Sequence, residues 1–414
     1  MLAGLALAFA AQVSAAEPAP TMRVDYLHSG NSKSDHYALE RVLIEPLPWP
    51  GNPARPLDDS DRGNNRFEVI DGKSGAVLYS RGFNTVFGEW RSTDEATVRD
   101  RGFEESLRFP KPAGPVHVRV LARGADNKFA EVWRVDVDPD APDVVRKQAP
   151  AAATPIAIRH NGPSADKVDL LILGDGYTQA EAAKFEADAR RLSDHLFTVS
   201  PFKERAGDFN VWAMMVPTAE SGISRPSGGM HHASSLGTSY DIFGSERYVL
   251  TLDNRALREV AQYAPNEFIE ILVNNETYGG GGIFGQFSTA AAGNAWADYL
   301  FVHEFGHHFA ALADEYYTSP VAYAQAQKFG ADIIIARGAT KLACARQPYT
   351  VQIDAGSHVA ARALIIATGA EYRKPALENL AHDGSRTWRM AMACSLAGIV
   401  VGQVAIWQGW MPSL

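Results

Sequence analysis

The spacing of apolar positions along the chain changes period partway through. From about Met22 to Asp140 it is two residues. Arg66-Phe-Glu-Val-Ile is followed by Asp71-Gly72 and then Ala76-Val-Leu-Tyr, which reads as a hairpin. Val116-His-Val-Arg-Val-Leu-Ala and Glu131-Val-Trp-Arg-Val-Asp-Val alternate in the same way, with Asp126-Asn127 as the turn between them. Short alternating strands punctuated by Gly, Pro and Asn predict a β-sandwich, placed at residues 17–145. This region carries no constellation of catalytic residue types. Pro and Ala dominate from Pro139 to Pro155, with few large apolar residues, so a linker is placed at 146–164.

From residue 165 the pattern becomes α/β. Val168-Asp-Leu-Leu-Ile-Leu is a nearly continuous apolar run ending in Gly174-Asp175-Gly176, as a strand buried on both faces should be. Thr178 and Glu181 form a capping-box pair ahead of a helix that runs from Ala182 to Leu196, with Phe185, Leu192 and Leu196 on one face. Asn210-Val-Trp-Ala-Met-Met-Val and Phe268-Ile-Glu-Ile-Leu-Val-Asn predict two further strands. Gly279 to Gly282 is a run of glycines, expected to be a flexible loop. It lacks the Lys-Ser/Thr of a phosphate-binding loop.

Composition narrows the function classes. A chain of 414 residues, 46% hydrophobic and 21% charged, has apolar side chains for two or three domains and is no disordered or disulfide-scaffold protein. Its net charge of -9, with no basic block, argues against a nucleic-acid partner. Cys344 and Cys394 make neither a CxxC pair nor a framework. Leu2 to Ala11 is apolar, and the small residues Ser14, Ala15 and Ala16 precede Glu17-Pro18, so residues 1–16 read as a signal peptide and the protein as secreted or periplasmic.

The chemistry concentrates in one helix, expected from Trp296 to Ala313. His303 and His307 stand at i and i+4, on one face and close enough to share a metal ion. Glu304 flanks them and can act as a base toward water at that metal. The apolar residues Ala297, Tyr299, Leu300, Phe301 and Val302 precede the motif, as expected of a buried active-site helix. A third ligand must come from further on. Asp314 is favoured and Glu315 is the alternative, but a straight helix would carry Asp314 about 10.5 Å beyond His307. The helix must therefore end and the chain fold back between His308 and Ala313, where no glycine eases the turn. His308 is expected to support the ligands or to face solvent.

The stretch from His303 to Tyr317 resembles the zinc-site signature of the immunoglobulin A peptidase family, peptidase M64. Ile172 to Thr178, Glu220 to Ser224 and Asn274 to Ile283 resemble further family segments in the same order, and the preceding β-domain is similar to the family's N-terminal domain. The likeness spans about residues 22–323. It implies a secreted zinc endopeptidase of zincin-like α/β fold over 165–323, acting on protein or peptide substrates. In it Zn2+ is held by His303, His307 and Asp314, and Glu304 is the general base for a metal-activated water. From their position after the motif, rather than from the likeness, Tyr316 or Tyr317 is expected to stabilise the oxyanion. Ala311 departs from the family, where glycine is common.

The family's remaining catalytic-domain sequence is not found after Tyr323, which implies a domain truncated at its C-terminal side. Ala324 to Ile335 and Ala361 to Pro375 instead resemble the flavin domain of thioredoxin reductases, an incomplete α/β fragment over 324–383 without GxGxxG or CxxC. The tail over 384–414 contains an uncharged run from Met390 to Met411, a weak candidate for a membrane span. The expected fold is thus α+β and multidomain. Two other function classes stay open: a surface-binding protein with a vestigial zinc site, and a fragment of an FAD-dependent disulfide reductase.

Overall fold

A computed structural model describes residues 19–149 and 154–314, and after these the strand backbones at 339–343, 349–353 and 357–361. The chain divides into a first unit ending at Leu312 and a second beginning at Ala313. The expected signal peptide at 1–16, Glu315, Tyr316, Tyr317, Ala324 to Ile335, residues 362–375 and the tail over 384–414 lie outside the described residues.

The first unit begins with β1 (Pro20–Gly30), β2 (Asp35–Pro48), β3 (Asn65–Asp71), β4 (Val77–Phe83) and a short helix α1 (Val86–Trp90). It continues through β5 (Arg101–Pro110), β6 (Val116–Arg123), β7 (Phe129–Val137) and β8 (Val145–Arg146). Two sheets result, ordered β5-β1-β2-β8 and β4-β3-β6-β7. Met22, Val24, Tyr26, Leu107 and Phe109 of the first meet Phe67, Val69, Val118 and Val120 of the second in one apolar core. The predicted hairpins β3–β4 and β6–β7 are both present. β1 is buried on both faces: Met22, Val24 and Tyr26 enter this core, and Arg23 and Asp25 are buried on the other side.

The remainder of the unit contains β9 (Ile156–Arg159), β10 (Val168–Asp175), α2 (Ala182–Leu196), β11 (Phe209–Met215), β12 (Thr238–Ser239) and β13 (Leu250–Thr251). After these come α3 (Asn254–Ala261), β14 (Phe268–Val273), β15 (Gly280–Ile283), β16 (Phe287–Ala291) and α4 (Ala297–Ala310). Six strands form a sheet ordered β15-β16-β14-β10-β11-β9. The inner pairs run parallel and the two edge strands antiparallel. β10 is buried along nearly its whole length, as its unbroken apolar run requires. α2 begins behind the predicted capping box, and Phe185, Ala189, Leu192 and Leu196 form its buried stripe. The glycine run is not a loop. Its last three residues belong to the edge strand β15, and their lack of side chains serves close packing, as shown below.

The sandwich and this sheet share a core. Phe87 and Trp90 of α1 and Phe103 of β5 belong to the same cluster as Leu170, Leu272, Phe301 and Phe305. In the second unit β17 (Ala339–Ala343), β18 (Tyr349–Ile353) and β19 (Ser357–Ala361) form a three-stranded antiparallel sheet.

Candidate metal centre

α4 owes its position to two rows of side chains. Ala297, Leu300, Phe301, Glu304, Phe305 and His308 recur at the spacing of one helix face and are buried. Tyr299, His303 and His307 follow one another at intervals of four on the adjoining row and are less buried. Near the start of the helix Asp298 pairs with Arg191 of α2 at 2.8 Å, an acid placed where the helix dipole favours one.

The two imidazoles meet through their Nε2 atoms, 3.1 Å apart, with ring planes at 88°. A metal bound tetrahedrally through nitrogen at about 2.0–2.1 Å needs ligand atoms about 3.3 Å apart, so the pair has the separation of a shared ion. The other ring nitrogen of each is engaged. His307 Nδ1 lies 2.5 Å from the carbonyl of Leu312. A carbonyl only accepts, so Nδ1 carries the proton and Nε2 presents its lone pair. His303 Nδ1 lies 3.3 Å from the hydroxyl of Tyr299, whose ring stacks on the imidazole. Glu304 is 9% exposed, and His303, Glu304 and His307 offer ligand atoms all within 4.8 Å of one another.

That geometry depends on strand β15. A Cβ on Gly282 would sit 2.4 Å from the Glu304 carbonyl oxygen and 2.8 Å from His307 Cβ. One on Gly280 would sit 3.0 Å from Glu304 Cγ. Alternate positions of the strand must therefore be glycine for the helix to lie this close.

α4 ends at Ala310, three residues before the predicted Ala313, and Ala311 adopts the left-handed region at φ 54°, ψ 34°. The N–H groups of Ala311 and Leu312 turn back to the carbonyls of His307 and Gly306. The fold-back expected after His308 thus occurs without glycine, and it brings the Leu312 carbonyl to His307. Asp314 stands two residues further on, in the second unit, and the three clustered side chains do not include it.

Of the two alternatives expected for His308, support of the ligands or exposure, the structure excludes exposure, and His308 is not one of the three clustered residues. It is fully buried, its Nδ1 donating to the Ile283 carbonyl and its Nε2 accepting from the Ile269 N–H, each at 3.1 Å. Burial pushes its imidazole down to about 3, so it is neutral and ties α4 to β14 and β15. Glu270 of β14 is also fully buried. Burial, together with the nearby charge of Glu304, drives its carboxyl well up, although a hydrogen bond from Ser288 acts the other way. Burial raises the carboxyl of Glu89 of α1, and His307 lies near enough to act on it electrostatically in the opposite direction, so α1 brings an acid toward the candidate metal centre. No local signal marks Glu89. Tyr299 was readable from its place four residues before His303.

The three segments that resemble family motifs converge at one end of the sheet. Glu181 accepts from the Thr178 N–H, Ser221 Oγ and Asn274 Nδ2, at 2.9, 2.9 and 3.0 Å. These hydrogen bonds, the Thr178 N–H first, hold its carboxyl down at about 2. Asp175, wholly buried, accepts from the backbone of Leu236 and Thr238 and from Ser234 Oγ. The segments are the fastenings of the long loop that follows β11.

A carboxylate beside two facing imidazoles on one helix, laid on a parallel sheet, is a cluster suited to holding a metal ion next to a base. Residues 156–331 match the family model described as IgA Peptidase M64, and residues 15–134 the one described as Peptidase M64 N-terminus. Together, in order along the chain, these matches support membership of the M64 peptidase family. Neither extends past residue 331. No curated protein matches the chain. Among the described residues no helix is long and apolar enough to cross a membrane.

Proposed function

We propose that the protein is an exported, zinc-dependent endopeptidase. The observation that carries this reading is the pair of Nε2 atoms facing each other at 3.1 Å, with Glu304 beside them and both Nδ1 atoms turned to oxygen partners. Two imidazoles and a carboxylate suit zinc, which takes nitrogen and oxygen ligands. His303 and His307 would hold the ion, and Asp314, with Glu315 as the alternative, is the expected third protein ligand. Bound there, zinc supplies a Lewis acid that polarises water and the scissile carbonyl. Glu304 takes a proton from the attacking water and delivers it to the departing amide nitrogen. The Leu312 carbonyl and the Tyr299 hydroxyl fix the orientation of the two imidazoles throughout. Tyr316 or Tyr317 stabilises the oxyanion. The expected flavin-domain-like fragment at 324–383 overlaps the family match, which runs to residue 331, so on this reading any join to the peptidase falls at or after 331, and sequencing the DNA across codons 323–332 tests it.

Elemental analysis and digestion of an unstructured protein such as casein test the centre. Glu304→Gln should keep stoichiometric zinc and lose about 10²–10⁴-fold in activity, the usual worth of a positioned base. His303→Ala and His307→Ala should lose the metal. Full zinc in both histidine variants, or a Glu304→Gln protein as active as wild type, sinks the proposal.

A further inference from the structure

The first unit contains a cavity of about 320 Å³ between the sandwich sheets and the sheet that carries α4. That volume lies in the range of small-molecule sites. His303, Glu304 and His307 do not line it. Its apolar surface comes from Phe67, Phe268 and Phe309, and its charge from Arg62, Arg258 and Glu267 among others.

Arg258 is the unusual member. Its residue is 6% exposed, its Nη2 donates to the neutral Gln286 Oε1 at 3.2 Å, and its Nε has no hydrogen-bond partner. Nearby carboxylates are engaged elsewhere: Asp25 by Arg23 and Arg41, and Glu45 by Arg23 and Arg108. Burial and the charge of Arg108 push its guanidinium down to about 9, which leaves it cationic at neutral pH. A buried cationic donor without an acceptor carries the full desolvation penalty of that group. Arg62 lines the same cavity half-buried and forms no ion pair among the described residues. Burial and the nearby Asp169 push the Glu267 carboxyl up to about 7, so near neutrality it is protonated about half the time and can donate to an anion.

We propose that this cavity is a second ligand site, separate from the metal centre, that takes a small carboxylate with an apolar body. The carboxylate answers the unpaired donors of Arg258 and Arg62, and the phenylalanine rings cover the rest of the molecule. Ion pairing to arginine is strong because the planar fork matches a carboxylate.

Isothermal calorimetry of the full chain with N-acetylphenylalanine, and with its uncharged amide, tests the assignment. The acid should bind one-to-one and the amide at least about tenfold more weakly, the loss expected for one charge-assisted contact. Arg62→Met, at the half-buried wall, should weaken the acid by about as much while circular dichroism and the thermal midpoint stay those of wild type. Arg258→Met should abolish binding, but its buried place makes Arg62→Met the deciding variant. Equal binding of acid and amide, no binding of the acid at millimolar concentration, or an Arg62→Met protein that binds as wild type overturns the proposal.

Discussion

Ala311 shows how one residue can bear the strain of a site. A left-handed conformation costs an alanine about 1–2 kcal/mol relative to the helical region, and glycine nearly nothing. The chain tolerates it because the turn at Ala311 delivers the Leu312 carbonyl to His307 Nδ1. Ala311→Gly should therefore raise stability. Offsetting the relief of strain by the greater freedom of glycine in the unfolded chain leaves a gain of about 0.5–1 kcal/mol, seen as a higher denaturant midpoint with zinc content unchanged. A lower midpoint would show that alanine is at ease there. At His308 the sequence leaves a supporting role and exposure both open, and burial excludes the second. Adjacent histidines look alike on paper, and only the carbonyl of Ile283 and the N–H of Ile269, both brought by other strands, make one of them a buried structural group.

Among the elements, β15 sets the depth at which α4 can lie. A methyl group at Gly282 would collide with the Glu304 carbonyl and with His307, and overpacking of this kind costs about 1–3 kcal/mol. Gly282→Ala should thus lower stability by about that much and weaken zinc retention during dialysis against a chelator. Gly114→Ala, where an added Cβ meets nothing within 4 Å, is the control and should do neither. Equal zinc retention in the two variants would remove β15 from the support of the site. Strands and helices with a one-sided or fully buried pattern were legible from the sequence: β3, β4, β6, β7, β10 and α2 lie where their apolar periods predict. A strand of glycines has no period, so its sequence reads as a loop. The two histidines and the glutamate were legible because four-residue spacing on a helix makes them neighbours. The contributions of Leu312 and Glu89 were not, because the chain turn and the sandwich bring them there.

Across the first unit, a network of charges joins the sandwich to α3. Arg23, fully buried on β1, reaches Asp25 at 2.9 Å and Glu45 at 3.1 Å, and donates to the Arg258 carbonyl at 3.2 Å. Arg41 and Lys147 each pair with Glu259 of α3 at 2.9 Å. Removing one member strands the others, so Arg23→Met should cost about 3–5 kcal/mol in chemical denaturation. Little change would show that the network is dispensable. Burial alone would raise Glu259, but hydrogen bonds from Lys147 and Gln262 and the charges of Lys147 and Arg23 hold it down at about 2. A carboxyl lower in the folded than in the unfolded state stabilises fully above about pH 4.5, and that contribution fades as pH falls toward 2. Calorimetric midpoints of wild type and Glu259→Gln should therefore differ most at pH 7 and converge below pH 4.5. A gap that stays constant with pH would exclude Glu259 as its source. The shared core around Phe87 and Trp90 bears on recombination between relatives. α1 lies between β4 and β5 in the chain, yet its apolar side chains belong to the same core as those of α4. A chimera that exchanges whole N-terminal regions at residue 145 would import a foreign α1 against a native α4. Grafts that keep residues 84–103 from the recipient, and exchange only the strands on either side, preserve the fit and should give the soluble hybrids.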